Sequence, residues 1–452
     1  MSATITTTLS AAETGPILNQ LAVANKAFAA IYPGEIPDRQ PVHTVYGGAQ
    51  LFRSDRTVRM GKSALETMKA FCKGPEDFLD AIDPLHDYTE EFAETLYNRV
   101  IHKLETEPVE DFRIDFEDGY GNRPDDEEDG HAVAAAQAVA QGAKDGTLPP
   151  FIGIRLKPFN EELKARSVRT LDIFLTTLHQ ATDGNIPQPF YITLPKITVP
   201  EQASALADLL EKLEAGLGVE PGTFQVELMI ETPQSIFNSE GSVPLQRMVA
   251  SLRGRCRGAH FGTYDYTASC QITAEYQDMM HHACDFARSV MQVALAGTGV
   301  WISDGATNVL PVPPHRGELT PEQEEENWET VRNAWALHYH HCQNSLIKAY
   351  YQGWDLHPAH LPTRYAAVYA FFLEGLGPAG ERLRNFVEKA AQATLVGDVF
   401  DDAATGQGLL NFFLKAINSG AVTEDEVVEA TTLTKDELHT RSFLKILEGR
   451  TK

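Results

Sequence analysis

The regular alternation of strand-like and helix-like segments constrains the fold of this chain more than any other feature. Short apolar and β-branched runs occur at HTVYGG (43–48), FRIDFED (112–118), FIGIRLKP (151–158), FYITLPKI (190–197), FQVELMIET (224–232), GAHFGTYD (258–265) and NVLPVPP (308–314). The faintest, an eighth, lies in the short stretch leading into GWDLHP (353–358). From 112 to 265 the runs recur roughly every 33–40 residues, the length of one strand–helix–strand unit. Between them lie GHAVAAAQAVAQGAKDG, PEQASALADLLEKLEAGLG and DMMHHACDFARSVMQVALAG, rich in helix formers and ending at glycine. Glycine commonly closes a helix because it adopts the left-handed conformation at little cost. Strands alternating with helices imply a parallel sheet. Eight of them imply an α/β chain closed as a (β/α)8 TIM barrel. No G-x-G-x-x-G follows the first strand, so an open dinucleotide-binding sheet loses its main support.

Residues 1–40 read as an N-terminal helical lead-in: LNQLAVANKAFAAIY carries apolar residues at helical spacing, and PGEIPDRQP ends it. The barrel is expected over 41–365, with extra helices at SALETMKAFCKG and TEEFAETLYNRVIHKLE between the first two strands. Over 366–452 the strand signal disappears. YAAVYAFFLEGLG, AGERLRNFVEKAAQATLVG, GLLNFFLKAINSG and TEDEVVEATTLTKDELHTRSFLKILEG predict a C-terminal helical segment packed on the barrel or on a neighbouring subunit.

Composition narrows the partners. Lys and Arg number 38 against 63 Asp and Glu, a net charge of −25. That balance argues against nucleic acid or an anionic membrane as a main partner. No apolar run approaches membrane-spanning length, and MSATITTTLSAAETGP lacks the features of a secretory signal. The five cysteines, Cys72, Cys256, Cys270, Cys284 and Cys342, are odd in number and widely spaced, so neither a disulfide framework nor a zinc site is expected. A cytoplasmic location is the simplest reading.

Chemistry concentrates at the strand ends. Glu231 and Asp265 each stand where a strand run gives way to turn residues, one strand–helix–strand repeat apart. In a parallel barrel both carboxylates reach the C-terminal rim, where such folds hold their sites. Two oxygen ligands there suit Mg2+, or Mn2+, with positions left for water and substrate. Arg155 ends the third run and could clamp a carboxylate or steady a developing enolate oxygen. Asp115, Glu117 and Asp118 follow the second run, and Glu117 and Asp118 could orient Arg155 or hold metal-bound waters. Lys196 ends the fourth run. It could form a Schiff base, but an ion pair with the rim acids is the stronger reading. His43, on the first strand, is a candidate pocket residue. The HYHHC segment looks like a metal site, yet adjacent residues on a helix diverge; only His338 and His341 could converge. The run Asp125, Asp126, Glu127, Glu128, Asp129 reads as a solvated loop entering a helix.

In order along the chain, ID-FEDGYG, IRLKP, LPKI, MIETPQSIF, FGTYDYTAS and GWDLHP resemble the strand-end motifs of the HpcH/HpaI aldolase and citrate lyase beta-subunit superfamily, to which malyl-CoA lyases and malate synthases are related. The resemblance spans about residues 40–360. It implies a Mg2+-dependent carbon–carbon lyase or aldolase that cleaves or forms a β-hydroxy acid or its CoA thioester. The route would be a metal-stabilised enolate of a small oxo-acid such as pyruvate or glyoxylate. Glu231 and Asp265 are then the metal ligands and Arg155 the arginine that holds the oxo-acid. VGDVFDDAATGQGLL resembles the segment that brings an acid onto the site, which nominates Asp401 and Asp402, and homo-oligomers are implied. The pattern departs where HTVYGGAQLFRSD replaces an SxLFVPG-like stretch and IDFEDGY replaces LDLEDAV. Two other classes compete: a phosphoenolpyruvate-type phosphotransferase barrel, against which the lack of a glycine-rich phosphate loop counts, and a non-catalytic oxo-acid-binding homologue.

Overall fold

The computed structural model describes residues 7–34, 36–393 and 403–450. Its centre is one eight-stranded sheet: β1 (His43–Gly48), β2 (Asp111–Asp115), β3 (Phe151–Arg155), β4 (Phe190–Leu194), β5 (Phe224–Ile230), β6 (Cys256–Phe261), β7 (Trp301–Ser303) and β8 (Gly353–Asp355). All neighbours pair in parallel, in the order β7-β6-β5-β4-β3-β2-β1-β8. The amide of Asp304 donates to Gln352 O at 2.9 Å and that of Trp354 to Gly305 O at 3.1 Å, joining β7 to β8. The chain is therefore a (β/α)8 barrel.

Local chemistry explains the elements. The helix Asp125–Asp145 begins on the acidic run, whose carboxylates suit the positive end of the helix dipole, and closes at Gly146 with φ 66°. The helix Pro200–Leu217 starts on proline and closes at Gly218 with φ 71°. The extra helices between β1 and β2 are Arg56–Phe71, Pro75–Ile82 and Glu90–Thr106. The described part of the N-terminal lead-in contains the helix α1 (Ala11–Ile31). At the other end, the helix Leu361–Ala393 runs across the boundary expected at 365 and is followed by Ala403–Asn418, Glu424–Thr431, Lys435–His439 and Phe443–Arg450.

Two expectations need correction. The seventh strand is Trp301–Ser303, not NVLPVPP; Pro311, Pro313 and Pro314 there lack the amide protons that a ladder requires. The acidic run is not wholly solvated either. Glu128 is buried, 3.0 Å from Lys157 Nζ and hydrogen-bonded by Thr170, while Asp129 holds Arg166 and Arg169.

Side chains inside the barrel form layers. Phe151, Tyr191 and Trp301, with Ile36 against them, close the N-terminal end. Above them lies a charged layer: Arg113 pairs with Asp111 and, at 2.7 Å, with Glu227, while Thr44 donates to Asp111 at 2.8 Å. Burial pushes Asp111 up to about 7 despite Arg113, whereas Arg113 and His260 overcome burial and bring Glu227 down to about 2. The third layer is the rim.

Candidate active site

Five consecutive strands, β2 to β6, carry the rim cluster, each through the residues at or just beyond its C-terminal end. Asp115 ends β2 and is 0% exposed. It accepts the amides of Glu117 (2.9 Å) and Gly119 (2.8 Å) and both Nε (2.7 Å) and Nη2 of Arg155. This two-point grip fixes the guanidinium plane. Nη1 of Arg155 lies 3.2 Å from Glu117 Oε2, and the group lies over the rings of Tyr46 (4.6 Å) and Trp354 (5.4 Å). The sequence reading did not single out those two aromatics. Their signal is parity: Tyr46 shares the inward face of β1 with Thr44, and Trp354 pairs with Thr44 across the ladder.

Lys196 stands two residues beyond β4 with φ 50°. Its amide donates to Glu231 Oε1 at 2.7 Å. Its ammonium meets Glu117, Asp118 (2.9 Å) and Asp265 (3.3 Å). Burial alone would lower Lys196; the carboxylates of Glu117, Glu231 and Asp118 outweigh it and hold it above the ordinary lysine value. A lysine held so firmly protonated is a poor Schiff-base nucleophile.

Glu231 directly follows β5 and is 1% exposed, whereas the Asp265 side chain, in the first turn of the helix Thr263–Ser269 after β6, is 41% exposed. Gly262 makes the close approach possible: a Cβ there would collide with Glu231 Oε2. Burial, then the charge of Asp265, pushes Glu231 up to about 8 against the pull of Lys196. Burial likewise raises Glu117 to about 7, although Arg155 and Lys196 oppose it. For Asp118 the order reverses: Lys196 outweighs burial and lowers it.

The cluster therefore sets five carboxylates (Asp115, Glu117, Asp118, Glu231, Asp265) against two cations, Arg155 and Lys196. Among the described residues, no three His, Cys, Asp or Glu side chains are arranged to ligate a single ion together. Two carboxylates, one buried and one reachable from solvent, fit a Mg2+ ion that completes its shell with water and substrate. The excess negative charge and the mutual repulsion of Glu231 and Asp265 favour a cation there.

The other candidates lie elsewhere. His43 opens β1, five residues before the rim end, and faces out of the barrel. Its Nδ1 meets Asp355 at 2.7 Å and its Nε2 accepts the Glu110 amide at 3.0 Å. It is 0% exposed, so the structure does not bring it to the cluster. His338 is bound to Thr363 (2.6 Å) and Asp355 (3.0 Å), and His341 to Thr307 (2.9 Å), all in the layer between strands and helices. Asp401 and Asp402 lie outside the described residues. All five cysteines are free, and no described helix is long and apolar enough to cross a membrane.

A closed parallel barrel with ionisable groups gathered across five strand ends defines the class: an α/β-barrel protein with a charged cluster at the C-terminal rim of its strands. Within that class the chain belongs to the family described as "Domain of unknown function (DUF6986)", whose model matches residues 21–446. No curated protein matches it by sequence. Among solved structures it is similar to Haloferax volcanii malate synthase in its magnesium/glyoxylate complex, at 11% identity over 91% of this chain and 97% of that one, with a TM-score of 0.46. It is also similar to the citrate lyase beta subunit from M. tuberculosis complexed with oxaloacetate and magnesium, at 14% identity over 74% of this chain and 98% of that one, with a TM-score of 0.38.

Proposed function

We propose that this protein is a Mg2+-dependent carbon–carbon lyase or aldolase acting on a β-hydroxy acid or its CoA thioester, with a small oxo-acid as product or co-substrate. The observation that carries this reading is the pairing of Glu231 and Asp265 on adjacent strand ends inside a cluster with surplus negative charge. The ordered strand-end motifs support it.

Glu231 and Asp265 would hold the ion, which when bound supplies electrophilic activation of the oxo-acid carbonyl. The protein's own groups do the rest. Asp115 locks the Arg155 guanidinium between the acid cluster and the faces of Tyr46 and Trp354, a fixed cation where negative charge develops. Cleavage removes the hydroxyl proton and breaks the adjacent carbon–carbon bond, and the bonding pair passes to the carbon beside a carbonyl. Glu117, at about 7, holds or releases a proton close to neutral pH, which suits proton exchange at its carboxyl oxygens. Lys196 ties Glu117, Asp118 and Asp265 together and keeps that exchange local. The enolate partner must bear hydrogen on the carbon beside its carbonyl. Pyruvate or an acyl thioester qualifies; glyoxylate can serve only as the electrophile.

The test is release of pyruvate and glyoxylate from a panel of hydroxy-acids and their CoA thioesters, with Mg2+ and with EDTA. Turnover is expected only with the divalent ion and only in the presence of Glu231. Turnover that survives EDTA and the Glu231→Ala substitution refutes the proposal.

A further inference from the structure

We infer that α1 is a dimerisation arm that pairs with its equivalent in a second copy of this chain. The helix is 21 residues long, about 31 Å at the α-helical rise, and buries none of them. Ile17, Leu18, Leu21, Val23, Phe28 and Ile31 are between 51% and 70% exposed. Scattered exposed apolar residues are ordinary, but a contiguous apolar surface on one element marks an interaction site. Most helical stability in proteins comes from packing of an apolar face, and α1 has no such packing within one chain.

The pattern says what covers it. Ile17, Leu21, Ala24, Phe28 and Ile31 follow a 4-3-4-3 spacing, the repeat of a two-helix seam in which each helix supplies the same positions. Such a seam is self-complementary, as a two-fold interface between identical chains requires. The only charged residues of α1 are Glu13 and Lys26, which cancel, so the arm is free of the repulsion expected between two bodies of net charge −25. Covering the four large seam side chains, Ile17, Leu21, Phe28 and Ile31, removes on the order of 300 Å² per copy and 600 Å² per pair. That is part of the roughly 1,000 Å² a specific interface clears, so the second copy must also cover apolar surface beside the root of the arm.

The arm is rooted firmly. Past its end, the Gly34 amide donates to Gly297 O at 2.9 Å, and Gln246 Nε2 donates to the Tyr32 hydroxyl at 3.3 Å. This root lies just before β7, at the closed end of the barrel, so pairing leaves the Glu231 rim open. It also adjoins the end of the helix His282–Leu295, which exposes Phe286 and Val293, further apolar surface for a second copy to meet.

Sedimentation of the full chain at tens of micromolar tests this. The wild type is expected as a dimer, or as a larger even-numbered assembly. The Leu21→Glu/Phe28→Glu double variant should have half that mass with an unchanged near-UV spectrum, because α1 buries nothing within one chain, and a melting temperature that no longer depends on protein concentration. Ala24 lies at the midpoint of the seam and faces its equivalent whether the helices run parallel or antiparallel. An Ala24→Cys variant should therefore give an interchain bismaleimide product that the wild type, with its exposed Cys270, does not. A monomeric wild type, a double variant of unchanged mass, or no added cross-link at residue 24 overturns the inference.

Discussion

Replacing Glu231 by glutamine probes the proposed metal site through folding stability, independently of any turnover assay. Glutamine keeps an oxygen for the Lys196 amide, now 2.7 Å away, and removes the charge. In the metal-free protein Glu231 is held at about 8 against an ordinary 4.5, so the folded state retains a proton that the unfolded state releases. The contribution to stability is full below about 4.5, declines as pH rises, and is lost above about 8. At about 1.4 kcal/mol per unit, the loss is on the order of 5 kcal/mol. In a chain of this size that lowers the melting temperature by on the order of 5 °C. Thermal unfolding in EDTA from pH 5 to 9 should show the wild type falling relative to Glu231→Gln. Added Mg2+ should offset about half of the fall, because an ion at 100 times its Kd contributes ~2.7 kcal/mol to the folded state. The variant should gain almost nothing from the ion. Parallel pH profiles for the two proteins, or equal stabilisation by Mg2+, would mean that the ion does not sit on Glu231.

Other outcomes follow from the same geometry. Asp265→Asn should lower kcat/KM by roughly 100-fold or more, as loss of a main electrostatic stabiliser does, with part of the loss recovered at high Mg2+. Lys196→Met removes one of two cations from the cluster, so Glu117 and Glu231 should keep their protons to higher pH. The pH of half-maximal Mg2+ binding, read by calorimetry, should move upward. Borohydride with pyruvate should trap no adduct on Lys196 in the wild type; a trapped adduct would reverse the assignment of that residue. Asp355→Asn should cost ~3–5 kcal/mol in urea unfolding, because it breaks a buried network of His43, His338 and Arg364. Its Mg2+ dependence should be unchanged, since that network lies outside the barrel wall. Asp355 is held well below its ordinary value by Arg364, His338 and His43 against burial, so the wild type's advantage over this variant should be present at neutral pH and fade as pH falls into the acid range.

Six of the eight strands were legible because each is a long apolar run that stops at turn residues, with a capped helix on the far side. β7 and β8 are three residues each, too short for periodicity to register, whereas proline-rich NVLPVPP has the apolar composition of a strand without its amide donors. The rim acids were legible for a related reason: a parallel barrel sends every strand end to one face, so position along the chain translates into position at the site. That rule says nothing about which way a side chain leaves its strand. His43 failed on this point, because it shares the outward parity of Val45 and sits at the wrong end of β1, while Tyr46, one step over, turns in toward Arg155. The partners of Lys196 were beyond reach as well. Glu117 is 79 positions away and Asp265 is 69, and only closure of the barrel brings all three together. What emerges from closure is a charge imbalance. No single strand end is unusual, but burial, together with five carboxylates meeting only two cations, raises Glu231 and Glu117 toward neutrality, and on the proposed function such a site would exchange a proton for a divalent ion near neutral pH.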